Sequence, residues 1–259
     1  MGERTQYTPG TFSWADLATT DQPAARSFYS DLFGWSATEN PVGEGSSYSM
    51  MSIDGKDVAA IATQPQQQRD AGAPPAWNSY ITVESADQAL ERAKELGGTV
   101  HAPAFDVFEA GRMGVVQDPQ GAFFMVWEPK AHIGASLVNA HGALSWDELA
   151  SSDMKASAGF YSQLFGWTVE PVEGMQFPYM TIKNAAGRNN GGIRPTMDSE
   201  PPNWLVYFGV DELKAVVSKV GELGGGTISG PMDIGVGSIA VVRDPQGAVF
   251  ALYQGQFED

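Results

Sequence analysis

Two carboxylates stand at equivalent places in a sequence that repeats itself. Asp16 follows Trp14 by two residues, and Glu148 follows Trp146 by two residues. Because successive side chains of a strand point to opposite faces, each carboxylate is expected to share a face with its tryptophan. A carboxylate sheltered beside an indole has a raised pKa and is suited to act as a general acid or base on an enolisable or phenolic substrate. The structural alternative is that each carboxylate accepts hydrogen bonds from its neighbours or lies in solvent at a rim.

A wider set of side chains is expected on the same strand faces. Besides Trp14 and Trp146, the aromatic members are Tyr80, Phe123, Trp127, Tyr207 and Tyr253. Asn78 is a candidate hydrogen-bond donor to a ligand, and Arg112 is a candidate for binding an anionic or carbonyl oxygen, unless it is merely solvated. Aromatic walls around one carboxylate suit a planar, largely apolar ligand, although aromatic residues at alternating strand positions also build ordinary cores.

An internal repeat indicates the elements that must position these residues. Trp14 and the pair Phe28-Tyr29 return 132 residues later, at Trp146 and Phe160-Tyr161. The turn sequence Asp-Pro-Gln-Gly occurs at residues 118–121 and again, 126 residues later, at 244–247. Each half reads as two pieces of one strand, one helix and further strands, so the simplest prediction is an α+β fold of four βαβββ modules. The predicted domains are residues 1–132 and 133–259.

Capping residues predict where the helices of the first half begin and end. Asp21 and Ser85 are N-cap candidates, and Gly34 and Gly97 are expected just past the helix ends. Residues 64–75 are rich in Gln, Gly and Pro and are predicted to be irregular. The Asp-Pro-Gln-Gly turns are expected to be structural, because they supply proline and glycine where a tight turn needs them.

The composition excludes several classes of function. With 15 basic and 31 acidic residues the net charge is −16, so a nucleic acid would be repelled. No cysteine is present, which excludes disulfides, thiolate metal sites and cysteine nucleophiles. No apolar run reaches the roughly 18 residues of a membrane helix, and residues 1–11 lack the apolar stretch of a secretory signal. We therefore expect a cytoplasmic protein with no nucleic-acid or membrane partner.

These markers together resemble a known family. They are the helix with Phe28-Tyr29 that ends in Phe33-Gly34-Trp35, the helix end Leu96-Gly97-Gly98, and the Asp-Pro-Gln-Gly turn, with counterparts in the second half. The chain is similar to the vicinal oxygen chelate superfamily of glyoxalase I, bleomycin-resistance proteins and extradiol dioxygenases, and most of all to bacterial tandem glyoxalase-like proteins that are often labelled hydroxylases. The resemblance implies two cup-shaped sheets, each enclosing a small-molecule site, and a monomer that is an intramolecular pseudo-dimer.

The same resemblance implies positions for metal ligands, which can be checked against the sequence. In the first half they fall on Trp14, Asn78 and Met125, and residues 58–63 offer no carboxylate. In the second half they fall on Trp146, Leu205 and Ala251, and residues 186–194 contain neither an acid nor a histidine. These side chains do not suit a hard divalent cation, so we expect no metal and no cofactor. Asn78 and Asp16 also predict unequal cups, the first more polar than the second.

Three functional hypotheses remain open. The first is a metal-free protein that binds a planar aromatic or polyketide-like metabolite for sequestration, resistance or tailoring. The second is an enzyme, either a glyoxalase-like lyase or isomerase or a hydroxylase-like oxygenase, which acts on a small carbonyl or aromatic substrate with Asp16 and Glu148 as acid-base groups. The third is an interaction protein, for which the sequence offers little besides an acidic surface. Aromatic cups without metal ligands favour the first hypothesis.

Overall fold

Two eight-stranded sheets dominate the computed structural model, which describes residues 2–43, 46–174 and 177–257. The elements of the first half are β1 (Gly2–Glu3), β2 (Phe12–Thr19), α1 (Gln22–Phe33), β3 (Ser36–Gly43), β4 (Ser46–Ile53), β5 (Lys56–Thr63), α2 (Gln66–Asp70), β6 (Ala76–Thr82), α3 (Ala86–Glu95), β7 (Thr99–Val107), β8 (Gly111–Gln117) and β9 (Phe123–Pro129). Those of the second half are β10 (Leu137–Val138), β11 (Leu144–Ser151), α4 (Met154–Phe165), β12 (Thr168–Pro171), β13 (Met180–Lys183), β14 (Asn189–Pro195), β15 (Asn203–Gly209), α5 (Leu213–Glu222), β16 (Gly226–Asp233), β17 (Gly237–Arg243) and β18 (Val249–Gly255).

Each large sheet is built from one half of the chain. The strand order is β3-β4-β5-β2-β6-β9-β8-β7 in the first sheet and β12-β13-β14-β11-β15-β18-β17-β16 in the second. Each sheet therefore contains two modules of one strand, a helix and three further strands, and the modules meet where β2 pairs with β6 and where β11 pairs with β15. The predicted α+β fold of four βαβββ modules in two tandem domains is confirmed. None of the helices in the described ranges is long and apolar enough to cross a bilayer.

The predicted helix ends agree with the structure. The Asp21 carboxylate accepts a hydrogen bond from the Ala24 amide, and Gly34 ends α1 in the left-handed region at φ 75°. Ser85 caps α3 in the same way through the Gln88 amide. The prediction that residues 64–75 are irregular is wrong in part, because α2 forms a single short helical stretch there without a side-chain cap.

The two halves share their hydrophobic cores. In one core, Tyr29 and Phe33 of α1 pack against Phe208 and Phe250 of the second sheet. The other core packs the second half's helix α4 against the first sheet, where the Phe124 and Tyr161 rings lie 5.5 Å apart. Each half thus covers the back of the other half's sheet, and the cup faces are left on the opposite sides.

The Asp-Pro-Gln-Gly turns fasten the two halves together. One carboxylate oxygen of Asp118 accepts three backbone amides of its own turn, and the other accepts the Tyr161 hydroxyl at 3.0 Å. The Tyr161 oxygen in turn accepts the Trp204 indole N–H at 2.9 Å. The same relay joins Asp244, Tyr29 and Trp77 on the other side. The aspartate of each turn therefore fixes the backbone of its own loop and also bonds to the other half of the chain. Both effects agree with the structural role predicted for these turns.

Replacing Tyr161 by phenylalanine is expected to lower the free energy of unfolding by about 1–3 kcal/mol, because buried Asp118 and Trp204 each lose a hydrogen-bond partner. The symmetry-related change Tyr29→Phe should cost a similar amount. Urea denaturation followed by tryptophan fluorescence measures both. The control is Tyr253→Phe, which removes hydroxyl bonds only to exposed carbonyl groups. An equal loss in the control would contradict the proposed importance of the relay.

Candidate functional site

The first cup gathers four of the predicted site residues on β2 and β6. The register places Asp16 opposite Asn78 and Trp14 opposite Tyr80. Asp16 accepts hydrogen bonds from the Asn78 amide at 2.8 Å, from the Tyr80 hydroxyl at 2.7 Å and from the Tyr48 hydroxyl at 3.1 Å. Burial raises the pKa of the Asp16 carboxyl, and these three hydrogen bonds oppose that rise. The carboxyl has neutral donors around it and is largely saturated by them.

Aromatic side chains fill the space above Asp16. Trp14 is 4% exposed and Trp127 is 5% exposed, and both belong to one of the large shared cores. The segment after β9 folds back into the cup, where the His132 ring lies edge-on to Trp14 with ring centroids 4.6 Å apart. The Trp127 indole N–H donates to the His132 carbonyl at 3.0 Å. Burial lowers the pKa of His132. The first cup is therefore packed as a core.

The second cup repeats the arrangement with different polar partners. Glu148 is 6% exposed on β11, and its Oε1 accepts the Nε of Arg194 at 2.7 Å. The hydroxyls of Tyr179 and Tyr207 face Glu148, and their pKa values lie well above the usual range because of burial first and the Glu148 charge second. The Trp146 indole N–H donates to the Tyr179 oxygen at 3.1 Å, as Trp14 does to Tyr48 in the first cup.

Arg194 is the main electrostatic difference between the cups. It lies on β14 and is 8% exposed, and its other guanidinium nitrogens donate to both oxygens of Glu200 at 2.7 Å. The parallel pairing of β14 with β11 places Arg194 beside Ala150, and the same pairing in the first sheet places Ala62 beside Ala18. The second carboxylate is therefore paired with a cation, whereas Asp16 has only neutral donors.

A cavity of about 430 Å³ opens on the second cup. Four of its lining residues, Trp146, Tyr207, Ile239 and Tyr253, belong to a small apolar cluster that is separate from the two shared cores and that also contains Leu205, Val241 and Ala251. The mouth is bordered by residues from both chain ends, including Arg4, Tyr7, Gln256 and Phe257. The volume lies within the range of about 300–1,000 Å³ that is usual for small-molecule sites.

The two cups carry side chains of different size at matching positions. Ala251 occupies the place that Met125 holds in the first half, and Tyr253 occupies the place of Trp127. In the second half the ring of Phe257 packs against Tyr253 at 5.4 Å and lines the cavity, whereas in the first half the His132 ring lies against Trp14. The cups are unequal, and the cavity of about 430 Å³ opens on the cup without Asp16 and Asn78.

The three remaining predicted residues are Phe123, Arg112 and Tyr253. Phe123 begins β9 and is 46% exposed, with its ring 4.7 Å from that of His101. Arg112 lies within β8, and its Nε and Nη2 donate to the Asp87 carboxylate at 2.8 and 3.0 Å. Tyr253 lines the cavity of the second cup. Of these three residues, the structure brings only Tyr253 to the cavity.

The side chains present do not fit the metal site that this fold can carry. Across the described ranges there is no group of three or more His, Cys, Asp or Glu side chains that could hold an ion. Trp14 and Trp146 stand at the first expected ligand position, and their indole nitrogens donate to tyrosines. Asn78 donates to Asp16, and its counterpart Leu205 is apolar. These groups are donors or hydrocarbons, which offer a divalent cation no oxygen or imidazole ligand set.

Sequence reasoning missed Tyr48, Tyr179 and Arg194. Tyr48 lies on β4, and Tyr179 lies just before β13, outside the strands compared for ligand positions. Both are tyrosines at matching places in the repeat, and this match was a signal that could have identified them. The signal for Arg194 was weaker. The strand 189–195 otherwise consists largely of small or apolar residues. An arginine buried in such a strand requires a partner of opposite charge.

Comparisons with known proteins agree with this architecture. Residues 11–126 match the family model of the glyoxalase/bleomycin resistance protein/dioxygenase superfamily, and residues 146–253 match a glyoxalase-like domain model. The chain is 42% identical over 255 residues to "Putative glyoxylase CFP32" of Mycobacterium tuberculosis, covering 97% of both chains. It is 33% identical to the anthracycline biosynthesis protein DauV of a Streptomyces species, covering 96% of this chain and 95% of DauV.

Solved structures show the same fold at low sequence identity. The Mn(II)-bound glyoxalase from Novosphingobium aromaticivorans is 16% identical with a TM-score of 0.66, covering 95% of this chain and 82% of that one. The 2,3-dioxygenase LapB from Pseudomonas is 13% identical with a TM-score of 0.66, covering 98% and 95%. The repeated modules, the paired cups and the full-length relatives lead to one conclusion: the chain belongs to the glyoxalase/bleomycin resistance protein/dioxygenase superfamily.

Proposed function

We propose that this protein binds one planar aromatic or polyketide-like metabolite in the second cup, without a metal ion. The observation that carries the proposal is the contrast between the cups, because the first is packed as a core and the second keeps a cavity of about 430 Å³. The proposed role is sequestration, resistance or tailoring of the bound metabolite, and the proposed domains are residues 1–132 and 133–259.

The walls of the cavity support a flat, apolar ligand. Trp146, Tyr179 and Tyr207 line it, and their polar atoms are directed at one another or at Glu148. The cavity therefore presents mostly ring surface, which favours stacking or edge-on contact with another aromatic system. Much of the polar hydrogen-bonding capacity inside the cup is already satisfied, so shape and apolar area contribute most of the affinity.

The relatives are consistent with this ligand class. DauV and DnrV, at 33% and 32% identity over nearly the full length, are named as anthracycline biosynthesis proteins. Anthracyclines contain a fused planar ring system, and a cup with aromatic walls suits such a ring system. From the names of these relatives we take for this protein only a class of ligand, planar polycyclic aromatic compounds.

An enzymatic role for Asp16 and Glu148 has less support from the geometry. Three donors hold Asp16 in the cup whose aromatic side chains are buried as a core, and Glu148 is tied into an ion pair with Arg194. A general base needs a lone pair directed at the substrate proton. If catalysis occurs, Glu148 is the better placed of the two because it lines the cavity. Turnover that survives in the Asp16→Asn/Glu148→Gln double variant would remove both residues from such a mechanism.

Calorimetric titration with planar aromatic probes tests the proposal. Alizarin, emodin and an anthracycline aglycone are suitable probes, and we expect at least one to bind with a stoichiometry of one per chain. At 100 times the dissociation constant a ligand stabilises the folded state by about 2.7 kcal/mol, which thermal unfolding detects. No binding by any planar probe would contradict the proposal, and two equivalent sites per chain would contradict the assignment to one cup.

Filling the cavity is expected to abolish this binding. Ile239→Trp adds a large ring inside the second cup, and binding of the best probe should weaken at least tenfold because the ring occupies ligand volume. Ile228→Trp is the matched control, since this isoleucine of the neighbouring strand is 54% exposed and does not line the cavity. Equal affinity in the two variants would place the ligand elsewhere.

A further inference from the structure

The second cup has a basic side chain in the lining of its cavity. Arg4 is the only Lys, Arg or His among the described residues that line the cavity. Its backbone is fixed next to β1, which pairs with β10, and the Arg4 amide donates to the Ser136 carbonyl at 2.9 Å. The side chain is half-buried. The guanidinium is thus held at the cavity by the chain segment that precedes it.

Arg4 has spare hydrogen-bonding capacity. A guanidinium carries five N–H donors, and the hydrogen bond found for this one runs from Nη1 to the Glu3 carbonyl at 3.2 Å. Among the residues that the structure describes, no carboxylate forms an ion pair with Arg4. The neighbouring Glu3 carboxylate is bonded instead to Lys56 at 2.6 Å. Arg4 therefore differs from Arg112 and Arg194, whose guanidinium groups are each bonded to carboxylates.

The two acidic residues at the cavity do not take this role. Glu148 is bonded to the buried Arg194 and faced by two tyrosine hydroxyls. The Asp147 carboxyl is hydrogen-bonded to Ser79 of the first sheet, so it points away from the cup. Neither acid is an ion-pair partner of Arg4. An anionic group on a ligand would find at the cavity a guanidinium that no carboxylate of residues 2–43, 46–174 and 177–257 neutralises.

We infer that the ligand of the second cup is an aromatic anion, with its rings against Trp146 and Tyr207 and a carboxylate or phenolate oxygen bonded to Arg4. This inference rests on the proposed function, because it assigns the chemistry of the ligand at that same site. The net charge of −16 does not oppose it, since charges beyond about 8–10 Å are largely screened at physiological ionic strength. Local pairing with a guanidinium, which matches a carboxylate in a two-pronged geometry, decides the preference.

The test compares three probes that differ in one substituent. Anthraquinone-2-carboxylate, its 2-carboxamide and 2-(aminomethyl)anthraquinone share the ring system and carry a negative, neutral or positive group. With the intact protein we expect the carboxylate to bind about fivefold more tightly than the carboxamide, and the amine to bind least tightly. Raising the salt concentration from 20 to 500 mM should reduce this preference, because a half-exposed pair is screened.

Arg4 variants identify the source of the preference. Arg4→Gln should bring the carboxylate-to-carboxamide affinity ratio close to one, and Arg4→Lys should retain part of it. Arg92→Gln is the matched control, because this exposed arginine pairs with Glu95 on α3 and its loss changes the net charge equally. Melting temperatures of all variants verify folding, and the salt series on the intact protein tests the inference even if Arg4→Gln misfolds.

Each outcome supports or overturns a distinct statement. Equal affinity of the three probes, still blocked by Ile239→Trp, would overturn the anion preference while the proposed function stands. A preference that persists in Arg4→Gln would overturn the assignment to Arg4. No binding by any probe, together with no response to cavity filling, would overturn the proposed function itself.

Discussion

Replacing Arg194 by methionine is expected to lower the free energy of unfolding by about 3–5 kcal/mol, because the change leaves a buried carboxylate without its cation. Glu148 and Arg194 are 6% and 8% exposed, so little water reaches either partner. The same change also removes the two contacts from Arg194 to Glu200 at 2.7 Å. Urea denaturation at neutral pH, followed by tryptophan fluorescence, measures the loss.

A double variant separates the buried charge from simple loss of packing. Glu148→Gln combined with Arg194→Met removes both charges, and we expect it to recover more than half of the stability lost in the single variant. Lys183→Met breaks an exposed ion pair with Glu170 and should change stability by less than about 1 kcal/mol. If Arg194→Met lowered the free energy of unfolding no more than Lys183→Met does, the buried ion pair between Glu148 and Arg194 would not be important for the stability of the second cup.

The architecture was predictable because it depends on local and repeated signals. Asp21 and Gly34 delimit a helix by capping, which needs only the residues within one turn. The alternation that placed Trp14 and Asp16 on one face is a property of any strand. The register of β2 against β6 then brings Asn78 and Tyr80 to the same carboxylate. The internal repeat provides the same cap and the same strand alternation a second time, in α4 and β11.

The location of the cavity was not predictable in the same way. It depends on the summed volume of side chains from several strands and on where the segment after β9 returns. His132 fills the first cup from a linker position, and no local pattern indicates that return. Asn78 suggested the more polar cup, but polarity at one position says nothing about empty volume. The side chains at matching places, Ala251 for Met125 and Tyr253 for Trp127, have more bearing on empty volume than Asn78 does.

Long-range ion pairs were the other missing information. Arg112 meets Asp87 only because α3 packs next to β8, and Arg194 meets Glu148 only because β14 pairs in parallel with β11. Parallel pairing joins residues that are far apart in sequence, so the partner of a lone arginine cannot be read from its neighbours. The structure assigns these partners, and Arg4 differs from both arginines in having no carboxylate partner among the described residues.

The contact between Asp147 and Ser79 joins β11 of the second half to β6 of the first and is expected to make stability pH-dependent. Burial raises the pKa of Asp147 to about 7, and the hydrogen bond from Ser79 opposes that rise. The unfolded chain has a pKa of about 3.9 at this residue. Between these values the folded state retains a proton that the unfolded state has lost, so stability falls as pH rises from about 4 to 7. The loss amounts to about 4 kcal/mol.

The variant Asp147→Asn cannot ionise and should not show this loss. We expect the stability of the variant relative to the native protein to increase by about 3 kcal/mol between pH 4.5 and 8, in a series of urea titrations, because part of the total loss already occurs below pH 4.5. Other buried carboxyls titrate in both proteins, and the difference cancels them. Ser79→Ala removes the donor that favours the ionised form, so its transition should move to higher pH.

The repeat supplies a second, independent version of this experiment. The residues that correspond to Asp147 and Ser79 are Ala15 and Val206, both fully buried, so the interface between halves carries the polar contact on one side only. The double change Asp147→Ala/Ser79→Val copies the apolar side, and its stability relative to Asp147→Asn should not change with pH in this range. A difference from the native protein that stays constant from pH 4.5 to 8 would mean that Asp147 ionises as a solvated carboxyl does, and that water reaches the interface between the two halves.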